Sequence, residues 1–378
     1  MAPPGRLRHA GAHTIGPRRG CPHGDAELPC RRAGRRGGPA GAGVPGTGGR
    51  GTGHAVGPTG PGRPVPAGGG RRAGPNGPAP AARCGHRLRT RRRGLLGLQA
   101  LALLPPRLPG TAALVAAAAR QVACCRRGDR YCFFPRVREF PADTDCTAVA
   151  LIGLDAQRLL PAGAARPVAR QLLAAAAPPV RRPGLHPRAV MVYWDDAAEP
   201  RALPRGFKQD AVVSANVLRA LRTTGPRTPG DDATGVHRAT LRHVEDHLVS
   251  RRYLHGTRYY PQPAAFLHAA ARLCAGSGTY ARVLRGPLRR ALHDARSHPP
   301  GDPLGLALLT LAARLAGVTE GQEQWRGLLA AAQRPDGSWP ACPYFRMGRF
   351  PLYFGSAHLT TVFALRALWP GRADGPSA

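Results

Sequence analysis

The chain has one lysine, Lys208, among 55 basic residues, so its formal net charge of +34 rests almost wholly on arginine. Ala, Gly, Pro and Arg are the residues of G/C-rich codons, and a basic balance of that origin is weak support for a nucleic-acid partner, none of which is expected. The first 94 residues contain no Phe, Trp or Tyr and only two acids, Asp25 and Glu27. With 25 Gly, 14 Pro and 18 Arg, that segment buries too little apolar surface to offset its ordering entropy. Residues 1–94 are therefore expected to be a disordered tail. It lacks the aromatic–basic interleaving of single-strand binders and the glycine period of collagen. A basic arm, a linker and translated sequence upstream of the real start all remain open for it.

Long apolar runs are also scarce. Residues 95–104 follow three arginines, in the order of a signal peptide, but Pro105, Pro106 and Pro109 end the run well short of the roughly 20 residues that a membrane span needs. No transmembrane helix is expected. The nine cysteines are odd in number and form no Cys-x-x-Cys pair, which indicates neither a disulfide framework nor a zinc ribbon. A reduced, cytoplasmic protein is the default reading.

All 21 aromatic residues lie from Tyr131 onward, and so does every convincing periodic pattern. Apolar segments bounded by Pro or Gly predict helices near 145–160, 163–177, 208–223, 236–250, 262–275, 279–296, 303–316, 321–333 and 356–369. Only 189–194 has the look of a strand. The class is all-α. Residues 146–154 and 304–315 are apolar and small almost all round, whereas 238–252 carries a polar face, so an inner layer of helices wrapped by an outer one is expected. Internal similarity points the same way. Segments 147–154, 214–221 and 361–368 share a pattern, the last two with Leu-Arg-Ala-Leu in common, as in a helical array or closed helical barrel.

The C-terminal third is more specific. Gln333 ends a helix, Asp336-Gly337 makes a tight turn and Trp339 follows, with Tyr353-Phe354-Gly355-Ser356 further on. This resembles the glutamine–tryptophan repeat of the terpene cyclases and protein prenyltransferases, the α/α-toroid superfamily. Upstream, Asp143-Thr144-Asp145-Cys146-Thr147-Ala148 is similar to the Asp-x-Asp-Asp-Thr-Ala motif of squalene–hopene cyclases, and Asp145-Cys146-Thr147-Ala148 to the Asp-Cys-Thr-Ala of oxidosqualene cyclases. The resemblance spans residues 130–369. It implies an α/α toroid over 95–372 and a class II terpene cyclase, in which proton-initiated cyclisation of a polyisoprenoid begins at Asp145 with Asp143 as its electrostatic partner. It also implies that no cofactor or metal is needed. The sequence departs from the family in having Cys146 and Val149 where acids are found, and its length suits one toroid rather than two domains.

The chemistry explains such a placement. Protonating an alkene requires a carboxylic acid that is still protonated near neutral pH, which burial and a neighbouring carboxylate supply. The resulting cation needs aromatic faces around it. Tyr193, Trp194, Tyr259, Tyr260, Phe266, Trp339, Tyr344, Phe345, Tyr353 and Phe354 are candidates. Asp210 and Asn216, on the helix containing Ser214, are further pocket candidates. Each aspartate has a plainer role as a helix cap. His243 and His247 have the i, i+4 spacing of zinc ligands but not the His-Glu-x-x-His order, and Asp143 is three residues from Cys146 rather than two, so no metal site is expected. Trp194-Asp195-Asp196 with Glu199 reads as a solvated loop. A non-catalytic prenyl- or lipid-binding toroid and a helical-repeat interaction protein are the alternatives, and a lipid substrate would bring peripheral contact with a membrane.

Overall fold

A computed structural model describes residues 110–223, 233–275 and 278–369, together with 88–89, 99 and 102–103. The remainder of the expected tail, 1–87 and 90–94, lies outside the described residues. Ten α-helices are described, and all but the first are close to a predicted position: α1 (Ala112–Cys124), α2 (Thr144–Ala156), α3 (Ala165–Ala174), α4 (Ala211–Thr223), α5 (Ala233–Val249), α6 (Pro263–Cys274), α7 (Thr279–Asp294), α8 (Pro303–Ala316), α9 (Gln322–Ala331) and α10 (Ala357–Leu368). From α2 onward they alternate between two layers. The even-numbered helices pack side by side as α2–α4–α6–α8–α10, while α3, α5, α7 and α9 lie against them.

Composition decides the layer. Thr144 to Gly153 of α2 are buried without a break, as are Leu304 to Ala313 of α8. Small, apolar surfaces on every side let such a helix be enclosed by neighbours. By contrast, α7 buries only Ala281, Leu284, Leu288, Ala291 and Leu292, one stripe at helical spacing, and exposes its arginines. Core rings fill the space between layers, with Phe266, Phe363, Trp325 and Trp339 fully buried.

Each outer helix carries the chain back, so the inner helices start together at one end. The contacts there are polar. Asp143, Asp302 and Ser356 cap α2, α8 and α10 by accepting backbone N–H groups of Cys146, Gly305 and Leu359. Gln262, just before α6, donates its amide to Asp302 (3.0 Å) and to the carbonyl of Pro343 (3.1 Å). Gln333 donates to the carbonyl of Gly337 (3.0 Å), closing its own turn. The Trp339 indole donates to the last turn of α9 at Leu329 (2.7 Å), and its backbone N–H to Thr361 of α10 (3.0 Å). Trp339 rather than Gln333 thus ties outer α9 to inner α10.

Two departures from the expected all-α class are short sheets. β2 (Arg126–Arg127), β3 (Arg130–Cys132) and β4 (Ala142–Asp143) form one antiparallel sheet that leads into α2. β1 (Leu88–Arg89) runs parallel to β6 (Tyr353–Phe354), which is antiparallel to β5 (Phe345–Arg346). Strands of two or three residues carry too little alternation to be visible in sequence. The expected strand at 189–194 is an isolated bridge between Val190 and Ala176. Its backbone is instead divided among three neighbours: Met191 N–H to Ala175, Val192 N–H to Lys208, and Thr144 N–H to the Val192 carbonyl. Among the described residues no helix is long and apolar enough to cross a membrane.

Asp302 serves two inner helices at once, as cap of α8 and acceptor for Gln262 before α6. Asp302→Ala is expected to lower unfolding stability by about 1–2 kcal/mol, measured by urea titration. An unchanged midpoint would show that this end of the helical row is held without it.

Candidate active site

Asp143 and Asp145 leave β4 for the first turn of α2 and take different roles. Asp143 is the cap, accepting the Cys146 N–H at 2.6 Å. Asp145 is turned the other way, towards the neighbouring inner helices. Its Oδ1 accepts the side-chain amide of Asn216 on α4 at 2.7 Å, and its Oδ2 accepts the hydroxyl of Tyr260, which precedes α6. Asn216 accepts in turn from Arg272 of α6 at 2.5 Å. Asp145, Asn216, Tyr260 and Arg272 are all buried.

The turn that carries Tyr260 is fixed by Gly256, at φ +67°, where an added Cβ would collide with the carbonyls of Tyr260 and Pro261. Asp210 holds the same turn from the α4 side. Its Oδ1 accepts the N–H groups of Val212 (2.9 Å) and Val213 (3.3 Å), and its Oδ2 accepts that of Tyr259 (3.0 Å).

Asp143 and Asp145 both line a cavity of about 50 Å³ whose other walls are almost entirely apolar or aromatic: Phe133, Phe134, Phe140, Cys146, Val192, Tyr193, Val213, Tyr259, Phe345, Met347 and Phe354, with Arg346. The rings are in mutual edge contact. Phe133 lies 5.4 Å from both Phe345 and Phe354, and Phe134 lies 5.8 Å from Phe354. The segment after β3 thereby meets the β5–β6 hairpin, joining the approach to α2 with the approach to α10.

Burial dominates the electrostatics. It pushes Asp145 up to about 6, against the Tyr260 and Asn216 hydrogen bonds that pull it down. Burial and then the Asp145 charge push Asp143 up to about 7. The arrangement favours the protonated form of a carboxyl that lines an apolar cavity, and it keeps donors in place for the anion left when that proton departs.

No protein-family model matches the sequence. Drimenol cyclase drtB of Aspergillus calidoustus is 32% identical over 138 residues, 34% of this chain and 24% of that protein, so the chain spans about a quarter of the length of this curated relative. Type II terpene cyclase MstE from Scytonema superposes with a TM-score of 0.52 at 15% identity, over 73% of this chain and 86% of its own. A variant of MstE in complex with its substrate geranylgeranyl dihydroxybenzoate gives 0.52 at 14% identity, over 73% and 85%. In fold, the chain is class II terpene cyclase-like.

Within that cyclase-like fold the sequence candidates separate into three groups. Asp143, Asp145, Tyr259 and Phe354 line the cavity, with Tyr193 and Phe345. Asn216, Tyr260 and Asp210 stand behind it, the first two holding Asp145 and the third holding the Tyr259 backbone. Trp194, Trp339 and Tyr353 are elsewhere. The Trp194 ring packs under the guanidinium of Arg130 (4.2 Å), Trp339 is a helix tie, and Tyr353 sits in β6 paired with Leu88 and Arg346.

The expected solvated loop is exposed at Asp195 and Asp196, and it also carries ion pairs. Asp196 binds Arg130 at 2.5 Å and Glu199 binds Arg127 at 2.6 Å, because the β2–β3 hairpin presents arginines to it. His243 is hydrogen-bonded to Ser214 (3.0 Å) and His247 packs edge-on against Phe266. Phe133, Phe134, Phe140, Arg346 and Arg272 escaped the sequence reading. Arg272 had a usable signal, a single charge on a helix, Pro263–Cys274, that is otherwise small and apolar apart from His268.

Raised carboxyl values have a definite sign for stability. Relative to an unfolded value of about 3.9, the folded state holds these protons more tightly, so the stabilisation is complete below that value and is lost as pH rises through 6 to 7. Asp145→Asn is expected to gain stability relative to the native chain between pH 5 and pH 8. Urea unfolding at both values measures it, and a difference that stays constant with pH would mean that Asp145 is already ionised at pH 5.

Proposed function

We propose that the chain is a class II terpene cyclase whose helical row closes into an α/α toroid, and that it cyclises a polyisoprenoid by proton transfer from Asp145. The observation that carries this reading is a buried carboxyl, its charged form disfavoured by burial, lining a cavity walled by aromatic rings, with a cation held behind it. The Phe133, Phe345 and Phe354 contacts between the two ends of the row support closure.

In the proposed reaction the Asp145 proton passes to a terminal alkene carbon, forming a C–H bond from the π electrons and leaving a tertiary cation. Internal alkenes then attack in turn, each closing a ring and moving the cation inward, until a proton is lost to a base or water adds. Asn216 and Tyr260 accept no charge themselves. They stabilise the new carboxylate through their N–H and O–H groups, and Arg272 polarises the Asn216 amide towards it. Asp143 lines the same cavity, and burial and the neighbouring Asp145 charge both favour its neutral form, which limits negative charge beside the acid. Phe133, Phe134, Phe140, Tyr193, Phe345 and Phe354 offer ring faces to the migrating cation.

Drimenol cyclase drtB and MstE, which acts on geranylgeranyl dihydroxybenzoate, make a C15 to C20 polyisoprenoid the natural first choice of substrate. At about 50 Å³ the cavity is far below the several hundred Å³ typical of sites for such ligands, so entry requires the half-buried rings of Phe133, Phe134 and Phe345 to swing outward.

Incubation of the purified chain with squalene, oxidosqualene, farnesyl diphosphate and geranylgeranyl diphosphate, followed by gas chromatography–mass spectrometry of dephosphorylated extracts, tests the reading. A cyclic product is expected from one of them. Asp145→Asn is expected to lower its rate by roughly 10²-fold or more, and Tyr260→Phe by a smaller factor. A folded chain that retains prenyl ligands and gives no cyclic product would instead be a prenyl-binding protein.

A further inference from the structure

A larger cavity, of about 460 Å³, shares no wall residue with the one at Asp145. It opens between the start of α6, the start of α8 and the end of α7, and the short 3-10 turn Arg252–His255 after α5 closes its remaining side. Its volume falls in the range of about 300–1,000 Å³ typical of sites for drug-sized ligands. Leu254, Pro263, Leu267, Ala291 and Leu309 make the greater part of its surface apolar.

Two polar groups of this wall are buried and unsatisfied. Tyr253 is only 2% exposed and its ring stacks on Phe266 with centroids 6.0 Å apart, yet its hydroxyl has no hydrogen-bond partner among the described residues. Burial raises that hydroxyl above its ordinary value, and the charges that act on it, Arg251 and Asp294, both belong to the cavity wall. It therefore stands on the cavity side and keeps its proton to donate. Gln262 is the second group. Its Nε2 is committed to Asp302 and to the Pro343 carbonyl, which fixes the amide, and its Oε1 is buried with no partner. A polar atom buried in this way bears its desolvation cost uncompensated, and a ligand that supplies the partner removes that cost.

The charges of the wall select against an ionic ligand. Arg251 and Asp294 pair with each other at 3.2 Å, and Asp302 is engaged as the cap of α8 and the acceptor for Gln262. His298 is exposed at the rim. A charged head group would leave water for a site whose fixed charges are already committed. An alcohol carries both of the functions that are missing, an oxygen to accept from Tyr253 and an O–H to donate to Gln262. A ketone or an ether carries only the first.

We propose that this cavity is a binding site for a neutral, compact apolar alcohol, with its hydroxyl held by Tyr253 and Gln262 and its carbon skeleton packed on Leu254, Leu267 and Leu309. The site is separate from the reaction assigned to Asp145 and does not depend on it.

Calorimetric titration of the full-length protein with 1-adamantanol, 1-adamantanecarboxylate and 1-adamantylammonium, which share one skeleton and differ in the head group, tests the site. The alcohol is expected to bind roughly tenfold or more tightly than either ion. Tyr253→Phe keeps the ring on Phe266 and is expected to weaken the alcohol roughly fivefold, narrowing its lead over the ions. Ala295→Trp, which sets an indole into the cavity from a half-buried wall position, is expected to abolish binding. Urea unfolding reports that each variant is folded, and the native midpoint is expected to rise with alcohol concentration. Ions that bind as tightly as the alcohol, an affinity indifferent to Tyr253→Phe, or no binding at millimolar alcohol would overturn the proposal. Binding that survives Ala295→Trp in a folded protein would put the alcohol elsewhere, the Asp145 cavity included, and overturn it as well.

Discussion

The hydrogen bonds that converge on the Asp145 carboxyl set the constraint from which the rest of the site follows. One oxygen is held from α4 and the other from the turn before α6, so three inner helices must keep a fixed register for the group to exist as it does. Such a carboxyl is under two opposed influences. Burial withholds the charge, while Asn216, Tyr260 and the more distant Arg272 favour it. If burial acted alone the proton would be held too firmly to give away, and with the donors alone it would be lost to solvent before a substrate arrived. A value pushed up to about 6 lies between these failures, near the pH at which general acids work best.

That balance requires the inner helices to run the same way. Their N-terminal ends gather where Asp143, Asp210 and Asp302 sit, and each of these three carboxylates satisfies backbone N–H groups that would otherwise be unpaired. Asp145 is the exception in the group. It spends nothing on a helix end, and its partners are the side chains of Asn216 and Tyr260. A carboxyl with side-chain partners only is one whose environment is tunable without unwinding a helix, which is the physical distinction between the two aspartates of the Asp-Thr-Asp string.

Much of this was legible in the sequence, for reasons that differ between residues. The all-round apolarity of 146–154 and 304–315 marked α2 and α8 as enclosed, because no solvent-facing stripe was available to them. Asp145 was visible through its motif, and Trp339 through the turn that precedes it, although its ring ties α9 to α10 instead of facing a ligand. Trp194 shows where residue type misleads. Its indole, one of the aromatic candidates, lies under Arg130 and away from the Asp145 cavity, and the position of Arg130 depends on a β2–β3 hairpin too short to be read from periodicity. The partners of Asp145 lie 71 and 115 residues away, and pairing at that separation is a property of the packed row of helices, not of any local pattern.

The walls of the cavity are a different kind of structure from the acid that they face. Asp145 is anchored in the rigid row of helices, whereas Phe133, Phe134, Phe345, Met347 and Phe354 stand on short strands and connecting segments at its end. Edge-to-face contacts between such rings are worth about 1 kcal/mol each, enough to close the cavity when empty and little enough to give way to a ligand with comparable apolar surface. Closure by rings rather than by polar groups also protects the chemistry, because an aromatic wall stabilises a carbocation and offers it no lone pair to capture.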